Sequence, residues 1–555
     1  MSKGPDAEGA SDLAAREIAA MGGASATGAL SANDTRFFGH PLGLSNLFFT
    51  ELFERASYYG MRALLILFMT AETVDGGLGY DVGTSALVYG LYTSLVYLAN
   101  LPGGWIADRI LGQRQSVLYG GILITAGHFT MAFDSIATFY AGLGLIILGT
   151  GLLKPNISVM VGQLYGPEDG RRDAGFTLFY MGINIGAFAA PLICGALAVN
   201  YGWHYGFAAA GVGMLIGVIV YLIFGNQLGD VGKLTAEAEA ERDASRSLFW
   251  KGLAGTVVFF GGLAALMLAG IVPATNGVIQ GIYTVLLLTI TVGLFAWLLT
   301  RPYWTEGEKK RLWMIILLFL GYAIFLAAFE QAGSSLNLFA ENQTDRSLPG
   351  WLQWIPGLQN GDTVPAAWFQ SLNAFFIFTI APFVAMIWTA LARRNADPST
   401  ATKFGMGLVL LGLGFVTMVG AGLAAADGQA SPWWLVITYL LHTLGELTLS
   451  PVGLSATTKL APARVSSLMM GVWFLGASVG NFIAGSIAGF YDTLDLPAFM
   501  GLVAAIAIAA GIAFFFFAGP LKRMLAQAED APAAACPRSP RCLHGGAEAD
   551  GAGPG

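Results

Sequence analysis

Residues 51–62 decide the fold: they read Glu-Leu-Phe-Glu-Arg-Ala-Ser-Tyr-Tyr-Gly-Met-Arg. The segments on either side are apolar enough for hydrocarbon, with Phe48-Phe49 before them and a Leu/Ile/Phe/Met run after them. At about 100° per residue, the two acids, two arginines and two tyrosines fall within roughly 140° of one helix face. A charged side chain in a bilayer costs at least about 2.5 kcal/mol and persists where it pairs or faces water. We therefore predict a membrane helix whose charged face borders an internal cavity.

The composition indicates a polytopic membrane protein. Of the 555 residues, 55% are hydrophobic and 11% charged, and the mean hydropathy is +0.63. Soluble proteins carry about 25% charged residues. The three cysteines (Cys194, Cys536 and Cys542) give no disulfide framework. The predicted spans contain no HExxH and no Cys/His cluster. We therefore expect no metal, no cofactor and no enzymatic activity.

Fourteen apolar segments are long enough to span a bilayer. They cover approximately residues 44–70, 84–107, 115–134, 137–161, 174–200, 204–225, 248–271, 276–300, 312–339, 366–392, 404–425, 432–456, 466–490 and 497–519. The ends of the chain have no apolar run, so we predict a disordered cytoplasmic arm at 1–40 and a disordered cytoplasmic tail at 526–555.

Basic residues are divided unevenly between the two sides of these segments. The loops on the side that holds both termini, together with the start of the tail, contain 19 Lys and Arg residues, whereas the opposite loops contain only Arg346. Positive loop residues accumulate on the cytoplasmic side of a membrane. We therefore predict a multi-pass protein of the inner (cytoplasmic) membrane with both termini cytoplasmic. A missed span would scramble the asymmetry, so it also supports the count of fourteen.

An internal repeat links the two halves of the chain. Three pairs of positions match in the same order: Pro155 with Pro451, Gly182 with Gly476, and Gly186 with Gly480. Parallel repeats around a central site are typical of secondary transporters of the major facilitator type. We therefore predict an all-α major facilitator fold with two six-helix bundles, at 41–228 and 306–525. Residues 229–305 would form a linker and an inserted helix pair, peripheral to transport.

Seven ionisable residues lie inside the predicted spans: Glu51, Glu54, Arg55, Arg62, Lys154, Glu330 and Glu446. All three cations lie in the first half, whereas the second half contributes only acids. We predict two ion pairs between the halves, Arg62 with Glu330 and Lys154 with Glu446, which break and re-form as the halves rock. An acid released from its cation becomes a proton site. A single glutamate could instead be a packed structural residue, and Glu54 with Arg55 could be a purely structural clasp.

Other polar or aromatic residues in the spans have two interpretations. Tyr97, Asn184 and Asn373 could line a binding site or could simply hydrogen-bond to a neighbouring helix. Trp473 lies mid-helix and is a candidate for a pocket wall. His442 has no partner visible in the sequence, so packing is the simpler interpretation.

Several motifs occur in the order found in one transporter family. They are Glu-x-x-Glu-Arg-x-x-Tyr-Tyr-Gly at 51–60, Gly-x-x-x-Asp-Arg-x-x-Gly at 104–112, Gly-Leu-Leu-Lys-Pro-Asn at 151–156, Phe-Glu-Gln-Ala-Gly-Ser-Ser at 329–335, Gly-Glu-x-x-x-Ser-Pro-Val-Gly at 445–453 and Met-Met-x-x-Trp-Phe at 469–474. Over roughly residues 40–525, the chain resembles the bacterial type of the proton-dependent oligopeptide transporter (POT) family of the major facilitator superfamily.

The resemblance implies a proton-coupled symporter that imports di- and tripeptides by alternating access. The residues that would face the peptide carboxylate are Tyr58, Tyr59, Arg62, Tyr97 and Lys154. The residues that would face the free amino group are Asn184, Asn373 and Glu446. The residues that would carry proton coupling are Glu51, Glu54, Arg55 and Glu330.

The same resemblance sets the expected partners and leaves an alternative open. We expect peptide, protons and the lipid bilayer as partners, no nucleic acid, and a monomer. Many relatives have Trp four residues before the glutamate of the seventh helix, where this chain has Leu326. The pocket should be wider or less aromatic there, which leaves the side-chain preference open. The alternative function is proton-coupled import of another small zwitterion or of a peptide-like drug.

Overall fold

The computed structural model describes residues 34–166, 169–302, 304–347, 350, 363–462 and 465–529. Within them the chain forms fourteen long helices. They are α1 Gly43–Thr70, α2 Val82–Leu111, α3 Gln113–Met131, α4 Ile136–Gln163, α5 Arg172–Tyr201, α6 Trp203–Ile223, α7 Arg242–Leu268, α8 Asn276–Leu299, α9 Glu306–Asn342, α10 Ser371–Arg393, α11 Thr400–Ala425, α12 Trp433–Leu460, α13 Ser466–Ala488 and α14 Leu496–Glu529. A 3₁₀ turn at Glu330–Gly333 interrupts α9.

The helices identify an α-helical, multi-pass membrane protein. Twelve of those in the described residues are long and apolar enough to cross a bilayer. The other two are α1, which four charged side chains interrupt, and α3, which begins Gln-Arg-Gln. The predicted fourteen spans are compatible with this arrangement. We call the side where α1 begins and α14 ends the terminal side, and the opposite side the distal side.

The helices pack in two groups that correspond to the two repeats. In the first half α1 packs against α5 and α6, and α3 packs against α4 and α6. In the second half α11 packs against α12 and α14, and α9 packs against α13. The fourth helix of each half, α4 or α12, is 28 residues long and contains the matching proline, Pro155 or Pro451. The repeat read from the sequence is therefore present in the helix packing.

Two matched glycines explain how the fifth helix of each half lies against the first. A Cβ on Gly186 of α5 would overlap the carbonyl oxygen of Leu52 in α1. A Cβ on Gly480 of α13 would lie 2.8 Å from the carbonyl oxygen of Ala323 in α9. Backbones approach closely only where a small residue leaves room, as membrane helix interfaces commonly show. Gly186 therefore fixes the position of α1, which carries the charged motif.

We expect Gly186→Ala to destabilise the protein by about 2 kcal/mol, because the added methyl group cannot be accommodated without moving α1. Thermal unfolding of the purified protein in detergent measures the change. Gly213→Ala on α6 is the matched control, since no atom of the described residues lies within 4 Å of a Cβ there. That control should be neutral or slightly stabilising, because Ala is the better helix former. Equal unfolding temperatures for the two variants would contradict the interpretation of Gly186.

The two halves are in contact on the distal side. Among the hydrogen bonds that cross between them there are those from Asn337 Nδ2 to Ala63 O (2.8 Å), from Trp368 Nε1 to Leu192 O (3.0 Å) and from Ser371 Oγ to Phe188 O (2.8 Å). Toward the terminal side Tyr180 of α5 is 45% exposed, and Pro451 and Ser455 of α12 are also exposed. The space between the halves is therefore closed at the distal end and open at the terminal end.

The two helices of the inserted pair pack differently from each other. Of α7, only Ser245 is buried, as expected for a peripheral helix. In contrast, α8 packs against both α2 and α9 and buries Tyr283 and Leu287. One helix of the pair is thus attached to both halves, and the expectation that the pair is peripheral to transport stays a prediction.

The predicted disordered ends lie mostly outside the described residues, which exclude 1–33 and 530–555, and with the latter Cys536 and Cys542. Two boundaries need correction. Residues 34–40 form a turn rather than part of an arm, with Arg171 Nη1 donating to the Asp34 carbonyl (3.0 Å). The side chain of Arg36 donates to Asp34, which holds the pKa of that carboxyl below its usual range. Helix α14 continues to Glu529, four residues into the predicted tail.

Candidate functional site

Three charges on α1 form one buried cluster. Glu51, Glu54 and Arg55 are each at most 3% exposed. Arg55 forms two hydrogen bonds with the carboxylate of Glu54, and its Nε lies 3.3 Å from Glu51 Oε1, one helical turn away. Glu51 Oε2 has no hydrogen-bond partner in the part of the chain that the structure describes. One guanidinium therefore serves two buried carboxylates, so the cluster has room for one further positive charge or proton.

The adjacent tyrosines have different environments. The ring of Tyr58 is 3% exposed, and the guanidinium carbon of Arg55 lies 5.0 Å from its centroid. Tyr59 packs edge-on against Tyr58 at 5.3 Å and lies on the wall of the central cavity. The cation–π contact adds to the packing that holds Arg55 over this face. The structure therefore places Tyr59 at the predicted binding site, whereas Tyr58 lies behind the wall.

The predicted ion pair between Arg62 and Glu330 is confirmed. Arg62 Nη2 lies 2.6 Å from Glu330 Oε2, and both side chains are buried. Arg62 Nε also donates to the hydroxyl of Tyr89 on α2 (2.7 Å). The pair joins α1 in the first half to the 3₁₀ turn of α9 in the second. It is thus a charged contact across the interface between halves, at the closed end of the cavity.

The predicted ion pair between Lys154 and Glu446 is wrong. Lys154 Nζ lies 4.3 Å from the ring centroid of Tyr97, and no carboxylate of the described residues comes within 4 Å of it. Glu446 Oε2 instead accepts a hydrogen bond from Asn373 Nδ2 (2.9 Å), which also donates to Thr443 Oγ1 (3.1 Å). Each of the two side chains therefore contacts a group of its own half, Lys154 the ring of Tyr97 and Glu446 the amide of Asn373.

A cavity of about 260 Å³ lies between the halves. Seven of the predicted site residues line it: Tyr59, Arg62, Tyr97, Asn184, Glu330, Asn373 and Glu446. The remaining predicted residues do not line it, namely Glu51, Glu54, Arg55, Tyr58, Lys154 and Trp473. Lys154 lies behind the lining residue Tyr97 and contacts its ring. Trp473 stacks on the lining residue Tyr322, with 3.8 Å between the ring centroids. One cation, Arg62, therefore meets the cavity from the first half, and two acids, Glu330 and Glu446, meet it from the second.

Several lining residues were missed by the sequence analysis. They are Tyr180, Tyr322, Gln370 and Tyr439, together with His442, for which packing was the preferred interpretation. Helical spacing could have found two of them. His442 is four residues before Glu446, and Tyr322 is eight residues before Glu330, with Leu326 between them on the same face. His442 is also tightly packed, 4.8 Å from the ring of Phe415, so both interpretations of this residue hold.

The sequence model of the POT family matches residues 114–231 and 258–502, more than half of the chain. The chain belongs to the POT family. Among POT relatives, it is 41% identical over 496 residues to the uncharacterized transporter YclF of Bacillus subtilis, an alignment that covers 88% of this chain and 96% of that protein. It is 35% identical over 506 residues to a di-/tripeptide transporter of Lactococcus lactis subsp. cremoris, covering 89% and 99%.

A solved POT structure also has the same fold. It is a crystal structure of the peptide transporter POT in complex with sulfate, with a TM-score of 0.81 and 38% sequence identity. The superposition covers 90% of this chain and 99% of the other. The major facilitator architecture predicted from the repeats is therefore confirmed. The inserted helix pair is thus part of a chain of the POT family.

Proposed function

We propose that this chain is a proton-coupled importer of di- and tripeptides that works by alternating access. The observation that carries the proposal is the division of charge around one cavity. Arg62 approaches from the first half, and Glu446 approaches from the second. The relative from Lactococcus lactis, a di-/tripeptide transporter, supports the same substrate class for this chain.

A free peptide matches this distribution of charge. Every short peptide has a carboxylate at one end and an ammonium group at the other, whatever its side chains. Arg62, assisted by Lys154 and the tyrosines, would bind the carboxylate, and Glu446 with Asn184 and Asn373 would bind the ammonium group. Pockets that hold drug-sized ligands measure about 300–1,000 Å³, so about 260 Å³ favours a short peptide. Leu326 also lines this cavity. Because leucine is not aromatic, aromatic contacts to the peptide side chains would come from the tyrosines of the wall, such as Tyr59, Tyr97 and Tyr322.

Proton coupling would follow from a competition between Glu330 and the peptide carboxylate for Arg62. When a peptide carboxylate binds Arg62, the buried Glu330 loses its counter-ion, and a proton would neutralise it. The cluster of Glu51, Glu54 and Arg55 has an excess of one carboxylate, so it offers a second place for a proton. The proposed roles of these residues in coupling are therefore the ones that the resemblance implied.

The orientation of the protein in the membrane follows from the loop charges. The terminal side carries 19 Lys and Arg residues against one on the distal side, which supports a cytoplasmic terminal side. The cavity that opens to the terminal side would then be the inward-open state. We propose that the protein acts as a monomer in the inner membrane, since one chain holds a complete cavity.

Uptake of labelled dialanine into proteoliposomes tests the proposal. With an inward proton gradient, wild type should concentrate the peptide at least tenfold, and Glu51→Gln should reduce this concentration to equilibrium while keeping peptide exchange. Glu72→Gln, an exposed residue just beyond α1, is the matched control and should behave as wild type. Absence of both uptake and exchange in wild type would refute peptide import, and free amino acids or other zwitterions would then be tested in the same assay.

A further inference from the structure

Three polar side chains lie on one face of α8. They are Asn276, Gln280 and Tyr283, spaced at i, i+4 and i+7. The rest of this helix is largely apolar, and most of it is exposed to the bilayer. A line of polar residues on a membrane helix needs partners, because hydrocarbon offers none. The positions of those partners indicate the role of α8 in the packing of the two halves.

The partners belong to both halves of the transporter. Asn276 Nδ2 donates to Thr84 Oγ1 on α2 (2.7 Å) in the first half. Gln280 Nε2 donates to Ser486 Oγ on α13 (3.0 Å) in the second half. The spacing therefore lays α8 along the seam between α2 and α13, on the distal side.

Tyr283 completes a hydrogen-bond network inside this seam. Its hydroxyl lies 2.8 Å from Ser94 Oγ on α2. Ser94 Oγ is in turn 2.7 Å from the carbonyl oxygen of Ser478 on α13 and 2.8 Å from its hydroxyl. Both serines are fully buried, and the Tyr283 ring packs against Phe482 of α13 at 4.8 Å. Tyr283 thus contacts the two halves at the point where they hydrogen-bond to each other.

The seam itself has no spare room. A Cβ on Gly90 of α2 would lie 2.8 Å from the Cα of Gly485 on α13, so the two backbones touch. Alternating access requires the halves to separate on the distal side. The bonds between Ser94 and Ser478 would then break, and α8 could remain attached to only one of the halves. Each bond that α8 makes here stabilises the state in which the distal side is closed.

We propose that Tyr283 is a positioning residue for transport, which with Asn276 and Gln280 makes α8 a strap across the distal seam. It sets the balance between the state open to the terminal side and the state open to the distal side. The proposal rests on the alternating access in the proposed function. It assigns a role to the inserted helix pair, of which α7 remains peripheral.

Hydrogen–deuterium exchange of the full-length protein in lipid nanodiscs, without peptide or proton gradient, tests the proposal. Tyr283→Phe keeps the ring against Phe482 and removes only the hydroxyl. We expect amide exchange at the distal ends of α2 and α13 to rise about threefold, the effect of one net hydrogen bond in a membrane protein. Exchange at the terminal ends of α4 and α12 should fall, because the halves close there as they open distally.

Thr289→Val is the matched control, since Thr289 is exposed on the same helix and, within the described residues, its hydroxyl bonds only to Val285 of that helix. It should leave both sides unchanged. A rise on both sides in Tyr283→Phe would indicate plain destabilisation, and no change on either side would show that the hydroxyl has no effect; both results overturn the proposal. Exchange is read without transport, so a protein that imports no peptide would refute the proposed function and still give a result here.

Discussion

Replacing Glu330 with glutamine is expected to abolish proton-driven accumulation of peptide, so that the internal concentration falls from at least tenfold above the external one to equilibrium, while peptide exchange remains within about threefold of wild type. Glutamine keeps the size and can still accept a hydrogen bond from Arg62, but it carries no proton through the cycle. The buried ion pair between the halves would lose its negative charge, so Arg62 would have no counter-ion until a peptide carboxylate binds. Gradient-driven uptake and counterflow in the same proteoliposomes measure the two activities.

Glu341→Gln is the matched control for this variant. Glu341 lies on the distal part of the same helix, α9, but it is exposed and paired with Arg346. It should accumulate peptide as wild type does. If Glu330→Gln also concentrated dialanine to the wild-type level, Glu330 would have no part in coupling, and the charge cluster on α1 would have to carry it alone.

Replacing Glu446 with glutamine is expected to weaken binding of peptides that have a free amino group by about 10- to 100-fold. A hydrogen bond to a charged group contributes about 1.5–3 kcal/mol, and the amide retains an acceptor for Asn373, so the loss isolates the negative charge. Competition of unlabelled dialanine against a labelled peptide in counterflow measures the affinity.

Two controls accompany this measurement. N-acetyl-dialanine has no ammonium group, so its already weak competition should not change in Glu446→Gln. Asp427→Asn removes an exposed carboxylate from the second half and should leave both peptides unaffected. An equal loss of affinity for the free and the acetylated peptide would contradict the assignment of Glu446 to the amino end.

The sequence predicted the charged part of the site because charges in a membrane helix are too costly to be accidental. Five of the seven ionisable residues are buried, and the pair of Arg62 with Glu330 is formed as predicted. The fold was predictable for a related reason: Gly186 and Gly480 repeat because two separate helix crossings both need a backbone without a side chain. In both cases the physical requirement is strict: a charge inside the membrane needs a partner, and a close helix crossing needs a glycine.

The aromatic wall and the partner of Lys154 could not be predicted in the same way. Tyr322 and Tyr439 lie in apolar helices where an aromatic ring suits lipid, core and cavity equally well. Whether Lys154 meets Glu446 depends on the distance between the halves, which the rocking of the halves changes and no local pattern encodes. The strap formed by α8 was missed because Asn276, Gln280 and Tyr283 carry no charge, and their partners are distant in sequence.

The contact between Arg62 and Glu330 also has a consequence for how tightly any cargo can be held. The empty protein already satisfies its guanidinium with a carboxylate of its own, at 2.6 Å. An arriving peptide therefore exchanges one carboxylate for another, and only the difference between the two appears as affinity. A transporter of this kind therefore binds its peptide weakly. Weak binding favours rapid turnover, because the carboxylate of Glu330 stays close to Arg62 and can displace the bound peptide.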